Sequence, residues 1–105
     1  MNEAIYKRLR KISDRIKREY SAEKDILYGS YARGEETEDS DVDILVIAQT
    51  NERMFERMAT VSRIVRDLRN GLPISPIVLT PEEFRHKLDI EDAFIQTVRE
   101  EGRVL

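Results

Sequence analysis

The apolar run Ile44-Leu45-Val46-Ile47, entered through Asp41-Val42-Asp43, constrains this chain more than any other segment. A short, β-branched run without polar alternation reads as a strand over 42–48, buried on both faces and therefore central in a sheet. Two carboxylates then stand at its mouth. Side chains alternate along a strand, so Asp41 and Asp43 point the same way, roughly 6.5–7 Å apart at their Cα atoms. Asp43 is the harder one to place, because an ionised carboxylate among Val42, Ile44 and Leu45 is costly unless it is paired or metal-bound. Just upstream, Gly29-Ser30 ends a short apolar stretch with a turn suited to phosphate, and ten residues separate it from Asp41. Two oxygen donors on one face near such a turn suit Mg²⁺, which takes one or two protein carboxylates and completes its shell with water and substrate phosphate. The combination reads as nucleotide chemistry.

The remaining periods organise the chain around that strand. Ile5, Leu9, Ile12 and Ile16 recur at helical spacing over residues 2–20, with lysines and arginines between them. Ser21 to Lys24 breaks the pattern, and Asp25-Ile26-Leu27-Tyr28 reads as a strand ending at Gly29. Residues 30–34 suit one helical turn, followed by an acidic loop over 35–39. Met54, Met58, Val61, Val65 and Leu68 mark a helix over 51–69 with core-spaced methionines, which Asn70-Gly71 ends as a left-handed cap. Pro73 to Leu79 reads as a third strand, at a sheet edge because of Pro73 and Pro76. Thr80-Pro81-Glu82-Glu83 is a capping box with proline at the first helical position, and a last helix is expected over 91–101. Helices alternating with three strands predict an α+β fold: a small mixed sheet flanked by helices, in a single domain over residues 1–105.

Composition and competing motifs narrow the chemistry. The 105 residues carry 18 basic and 21 acidic side chains, a net charge of −3, so overall charge gives no argument for nucleic acid. With no cysteine, disulfides and thiolate metal sites are excluded. No signal core or membrane-length apolar run is present, so a cytoplasmic setting without membrane contact is expected. Gly29 to Gly34 has the glycine spacing of a P-loop, but Glu35 and Glu36 stand where Lys and Ser/Thr are required. Asp39, Asp41 and Asp43 mimic the start of an EF-hand, yet Ile44 replaces its glycine and Thr50 its bidentate glutamate. The basic face of the first helix (Lys7, Arg8, Arg10, Lys11, Arg15, Lys17, Arg18) is diluted by Glu3, Asp14 and Glu19 and lacks interleaved aromatics. It reads as a solvated surface rather than a nucleic-acid face. His86, the only histidine, reads as a surface residue.

Gly29-Ser30-Tyr31-Ala32-Arg33-Gly34, followed by Ser40-Asp41-Val42-Asp43-Ile44-Leu45-Val46, resembles the signature of the minimal nucleotidyltransferase family in the DNA polymerase β-like superfamily. The strong match covers residues 25–47, and the flanking elements agree in order and length. The resemblance implies Mg²⁺-dependent transfer of a nucleoside monophosphate, AMP in the expected case, from ATP or another nucleoside triphosphate to an acceptor hydroxyl. Gly29 and Ser30 would hold the phosphates, and Asp41 and Asp43 would be the catalytic metal ligands of a two-ion site. Arg33 would either reach a phosphate or pair with the acidic loop.

One departure stands out. Family members carry a third carboxylate on the next strand, whereas no acid lies between Asp67 and Glu82 here. The expected position falls at Pro73, Ser75 or Ile77, so the second ion should be weakly held; Asp89, Glu91 or Asp92 could substitute. The resemblance also implies an antitoxin role beside a helical HEPN-type toxin encoded nearby. A protein hydroxyl is the expected acceptor, and the alternative is a degenerate nucleotide-binding subunit that acts by binding alone. Self-association stays open.

Overall fold

A computed structural model describes residues 2–105. The chain begins with helix α1 (Glu3–Tyr20), whose first turn is capped by the Asn2 side chain accepting from the Ile5 N–H at 2.8 Å. Strand β1 (Ala22–Tyr28) runs back along it, and Gly29 leads into the single turn α2 (Ser30–Arg33). Then follow β2 (Val42–Ala48), α3 (Met54–Ile64), β3 (Ile74–Leu79), α4 (Pro81–Asp89), α5 (Ala93–Glu101) and β4 (Arg103–Val104). The strands form one sheet in the order β3-β2-β1-β4; β1 is antiparallel to β2 and β4, and β2 is parallel to β3 with α3 as the crossover. The fold is α+β, a four-stranded mixed sheet flanked by helices. No described helix is long and apolar enough to cross a membrane.

The central strand is buried on both faces, as its unbroken apolar run requires. Val42, Ile44, Val46 and Ala48 pack with Leu9, Ile12 and Ile16 of α1 and Val61 of α3. Leu45 and Ile47 face the other way, onto Ile95 and Val98 of α5, with Phe84 and Leu88 of α4 alongside. Each fully buried Leu or Ile contributes roughly 1.5–3 kcal/mol of hydrophobic stabilisation, so these two layers hold the sheet. The capping box of α4 is complete: Thr80 Oγ1 accepts from the Glu83 N–H at 3.1 Å, and Glu83 Oε1 accepts from the Thr80 N–H at 2.8 Å. Proline sits at the edge as expected, with Pro76 inside β3 on the outside of the sheet.

The bounds of β1 and α3 depart most from the sequence reading. β1 starts at Ala22, not Asp25, because a bulge between Ala22 and Lys24 hides its alternation. α3 spans Met54–Ile64, shorter than 51–69: Val65 leaves the helix at φ −102°, ψ 5°, and tight turns continue to Leu72. Val65 is fully buried and Leu68 packs against the core, so the apolar period outlives the helix. Asn70 and Gly71 do have positive φ, at 47° and 83°, but they turn the chain toward β3 after the helix has ended. Met54 is 43% exposed and Phe55 88%, so the first of the two methionines at core spacing is a surface residue.

The fourth strand is the addition. After α5 the Gly102 N–H closes onto the Val98 carbonyl at 2.7 Å, and a Cβ on Gly102 would lie 2.3 Å from that oxygen. Glycine is therefore what lets the chain leave the helix there and lay Val104 and Arg103 against Ile26 and Leu27. The Leu105 N–H then donates to the Asp25 carbonyl at 3.0 Å.

Candidate active site

The turn at Gly29 and the mouth of β2 meet at one end of the sheet. In the antiparallel register Tyr28 lies opposite Asp43, which brings Gly29 beside the Asp43 side chain. A Cβ built on Gly29 would sit 2.3 Å from Asp43 Oδ2, so only glycine allows this approach. The backbone there also demands it, at φ 78° and ψ −158°. The conformation delivers the chain directly into α2, whose first N–H groups have no acceptor within the turn. Ser30 opens that turn with its amide and hydroxyl at the same end of the sheet as Asp43.

The two aspartates differ in setting. Asp41 is exposed just before β2, and Asp43 is partly buried within it. Burial first, and then the charge of Asp41, push the Asp43 carboxyl above its ordinary range; the nearby Arg33 opposes this in part. Neither carboxylate has an ion-pair or hydrogen-bond partner among the described residues. Two adjacent carboxylates without a bonded partner, beside the Gly29 turn, are a donor set that suits a divalent cation. Among the described residues no three acidic, histidine or cysteine side chains converge as a metal site, so Asp41 and Asp43 are the pair of donors at this end of the sheet.

Arg33 is engaged elsewhere. Its Nη1 donates to both carboxylate oxygens of Glu101 at 3.1 Å each, and its Nε to Glu35 Oε1 at 3.3 Å. Glu35 belongs to the acidic loop; Glu101 was not foreseen. Its Oε1 also accepts the Gly29 N–H at 2.8 Å, and that bond, helped by Arg33, holds the Glu101 carboxyl below its usual range. Of the three positions considered for a third carboxylate, the parallel register puts Ser75 opposite Asp43. Asp92 is used as the cap of α5, accepting from the Ile95 N–H at 3.2 Å, and Asp89 and Glu91 are exposed around the end of α4. His86 is exposed, as expected.

Tyr28, opposite Asp43 in the strand register, packs against Phe94. Their rings meet edge to face with centroids 5.3 Å apart. Burial first, and then the charge of Asp43, its neighbour across the strands, push the Tyr28 phenol up to about 12. No local signal points to Tyr28 or Glu101, and none chooses Ser75 over Pro73 and Ile77, because each reaches the site only through strand pairing or the return of α5. The basic face of α1 is in part structural: Arg8 donates to the Leu68 carbonyl, Arg15 to the Ile64 carbonyl and Asp67, and Lys17 to the Leu105 carbonyl.

The chain as a whole is similar to known proteins. The nucleotidyltransferase domain family matches residues 9–104, nearly the whole chain. The chain belongs to that family. A candidate protein adenylyltransferase of Methanocaldococcus jannaschii is 36% identical over 107 aligned positions, covering 100% of this chain and 99% of the relative. A second from the same organism is 35% identical over 78 positions, covering 73% and 72%. A crystal structure of a candidate nucleotidyltransferase from Sulfolobus solfataricus superposes with a TM-score of 0.52 at 29% identity, over 82% of this chain and 81% of that one. The protein is a transferase enzyme of the nucleotidyltransferase class.

Proposed function

We propose that residues 1–105 act in the cytoplasm as a single minimal nucleotidyltransferase domain that transfers AMP from ATP to a hydroxyl on a partner protein. The observation that carries this reading is how close Asp43 comes to the Gly29 turn, its Oδ2 lying 2.3 Å from where a Cβ on Gly29 would stand, with the Asp41 charge beside it. Gly29 allows a triphosphate to approach the backbone, and Ser30 donates its amide and hydroxyl to the phosphate oxygens. Asp41 and Asp43 would hold Mg²⁺, which would supply charge neutralisation for the departing pyrophosphate. The acceptor hydroxyl gives its proton to solvent and its oxygen bonds the α-phosphorus as the bond to the bridging oxygen of the β-phosphate breaks and pyrophosphate leaves. The names of the M. jannaschii relatives support a protein acceptor. So does the internal use of Arg8, Arg15 and Lys17, which leaves less of the α1 cationic face for a nucleic acid. The family resemblance favours a helical HEPN-type toxin as that partner, with this chain as its antitoxin.

Transfer of label from α-phosphate-labelled ATP with Mg²⁺ to the helical protein encoded nearby tests this. Label that disappears in Asp41→Asn is the expected result; no transfer to any protein, with or without Mn²⁺, would sink it. Ser75 opposite Asp43 favours one second reading, a degenerate antitoxin that binds ATP and its partner without transfer. ATP binding and a stable complex without label would identify that case.

A further inference from the structure

We infer that Glu101 is a positioning residue for the nucleotide: its carboxylate braces Gly29 and Arg33 so that Ser30 and Asp43 stay open to the triphosphate and its cation. The inference rests on the reading of Gly29-Ser30 and Asp43 given above. Glu101 comes from the last turn of α5, and only 18% of its side chain is exposed. One of its oxygens takes the Gly29 N–H at 2.8 Å, and both take Arg33 Nη1 at 3.1 Å. A carboxylate accepting a backbone N–H and a guanidinium makes charge-assisted bonds, roughly twice as strong as neutral ones.

The strands add to the constraint. Immediately after Glu101, Gly102 turns the chain so that Arg103 and Val104 pair with Leu27 and Ile26, just before Gly29 on β1. The phosphate turn is thus held from behind by α5 and β4 together. Glu101 also keeps Arg33 occupied. The Arg33 charge is felt at Asp43, and a guanidinium released from Glu101 would find in Asp43 an unpartnered carboxylate. That pairing would close the cation site. The third acidic group at this end of the sheet therefore comes from the C-terminal helix, where it orders the turn instead of facing Asp43 from β3.

Calorimetric titration of ATP with Mg²⁺ into the full chain, alongside thermal melts, tests the inference. Glu101→Ala should weaken ATP binding about 10-fold, the scale of losing a group that orients a ligand-holding one. Glu101→Gln keeps an oxygen for the Gly29 N–H but not the charge for Arg33, and should fall between the two at about 3-fold. A merely structural Glu101 would shift the melt and leave the affinity of the folded protein unchanged, which would overturn the inference. So would tighter binding in Glu101→Ala, because the carboxylate would then be a competitor of phosphate. Should Glu101→Ala fail to fold, Glu101→Gln decides alone, and unchanged affinity refutes. Asp43→Asn is the control. Loss of Mg²⁺-dependent binding there with a wild-type Glu101→Ala rejects only the role of Glu101, whereas binding that survives Asp43→Asn rejects the site itself and this inference with it.

Discussion

Gly29→Ala probes the point on which the site depends. At φ 78° and ψ −158° the backbone lies where side chains are strained, a cost of about 1–3 kcal/mol. For a domain of this size that lowers the melting temperature by roughly 4–8 °C per kcal/mol. The steric term is separate. The new Cβ would stand 2.3 Å from Asp43 Oδ2 and 3.2 Å from its Cγ, so the carboxylate has to move. Because the clash is with the end of a side chain, Asp43 can rotate away at small cost to the fold but with loss of its orientation. Mg²⁺-dependent ATP binding should therefore fall about 10–100-fold, more than the stability loss explains. Gly34→Ala is the matched control: φ is 72° there too, but nothing lies within 4 Å of the added carbon. It should cost about 1–2 kcal/mol and leave binding unchanged. Urea unfolding and calorimetric titration of both variants provide the measurements. Equal effects of the two on binding, or normal binding by Gly29→Ala, would show that the Gly29–Asp43 approach is not part of the site.

Other consequences concern the fold. Asp43→Asn should leave the protein as stable or more so, since it removes a partly buried charge repelled by Asp41; a lower unfolding midpoint in urea contradicts this. Asp25 is fully buried, with Ser13 Oγ donating to Oδ2 at 2.6 Å and Oδ1 unpartnered. Burial raises its pKa more than the Ser13 bond and the Lys17 charge lower it. The sign follows: this group's contribution is full below the unfolded value of about 3.9 and is lost as pH rises through the folded one. Asp25→Asn should thus be the more stable form near neutral pH and should remove that part of the pH dependence. Parallel melting-temperature profiles for the two proteins would contradict it. Arg57 is buried, bonded to both Glu83 oxygens at 2.6 and 3.2 Å and to the Glu52 and Val78 carbonyls. Arg57→Ala should cost about 2–3 kcal/mol, below the fully buried range because Glu83 is 40% exposed, and a loss under 1 kcal/mol in urea unfolding would refute that.

Local chemistry made much of this protein legible. The run at 42–48 had to be a central strand because it has no polar face, and Thr80-Pro81-Glu82-Glu83 had to start a helix because capping is a four-residue interaction. The order of helices and strands, and the pairing of a glycine turn with Asp41 and Asp43, followed from spacing of the same short range. Where burial continued past a change of backbone, the sequence misled: Val65 and Leu68 stay in the core period although the helix ends at Ile64. The bulge at Ala22 and the two-residue β4 carry too few alternating positions to be read.

Only the tertiary structure decided what surrounds the aspartates. Strand register, a property of two segments at once, put Ser75 and Tyr28 beside Asp43. The return of α5 brought Glu101 to a glycine 72 residues earlier. Residue spacing can state which chemistry a chain carries, because side chains a few positions apart are placed by the backbone itself. Which distant group completes that chemistry depends on how whole layers pack, and no local pattern encodes it.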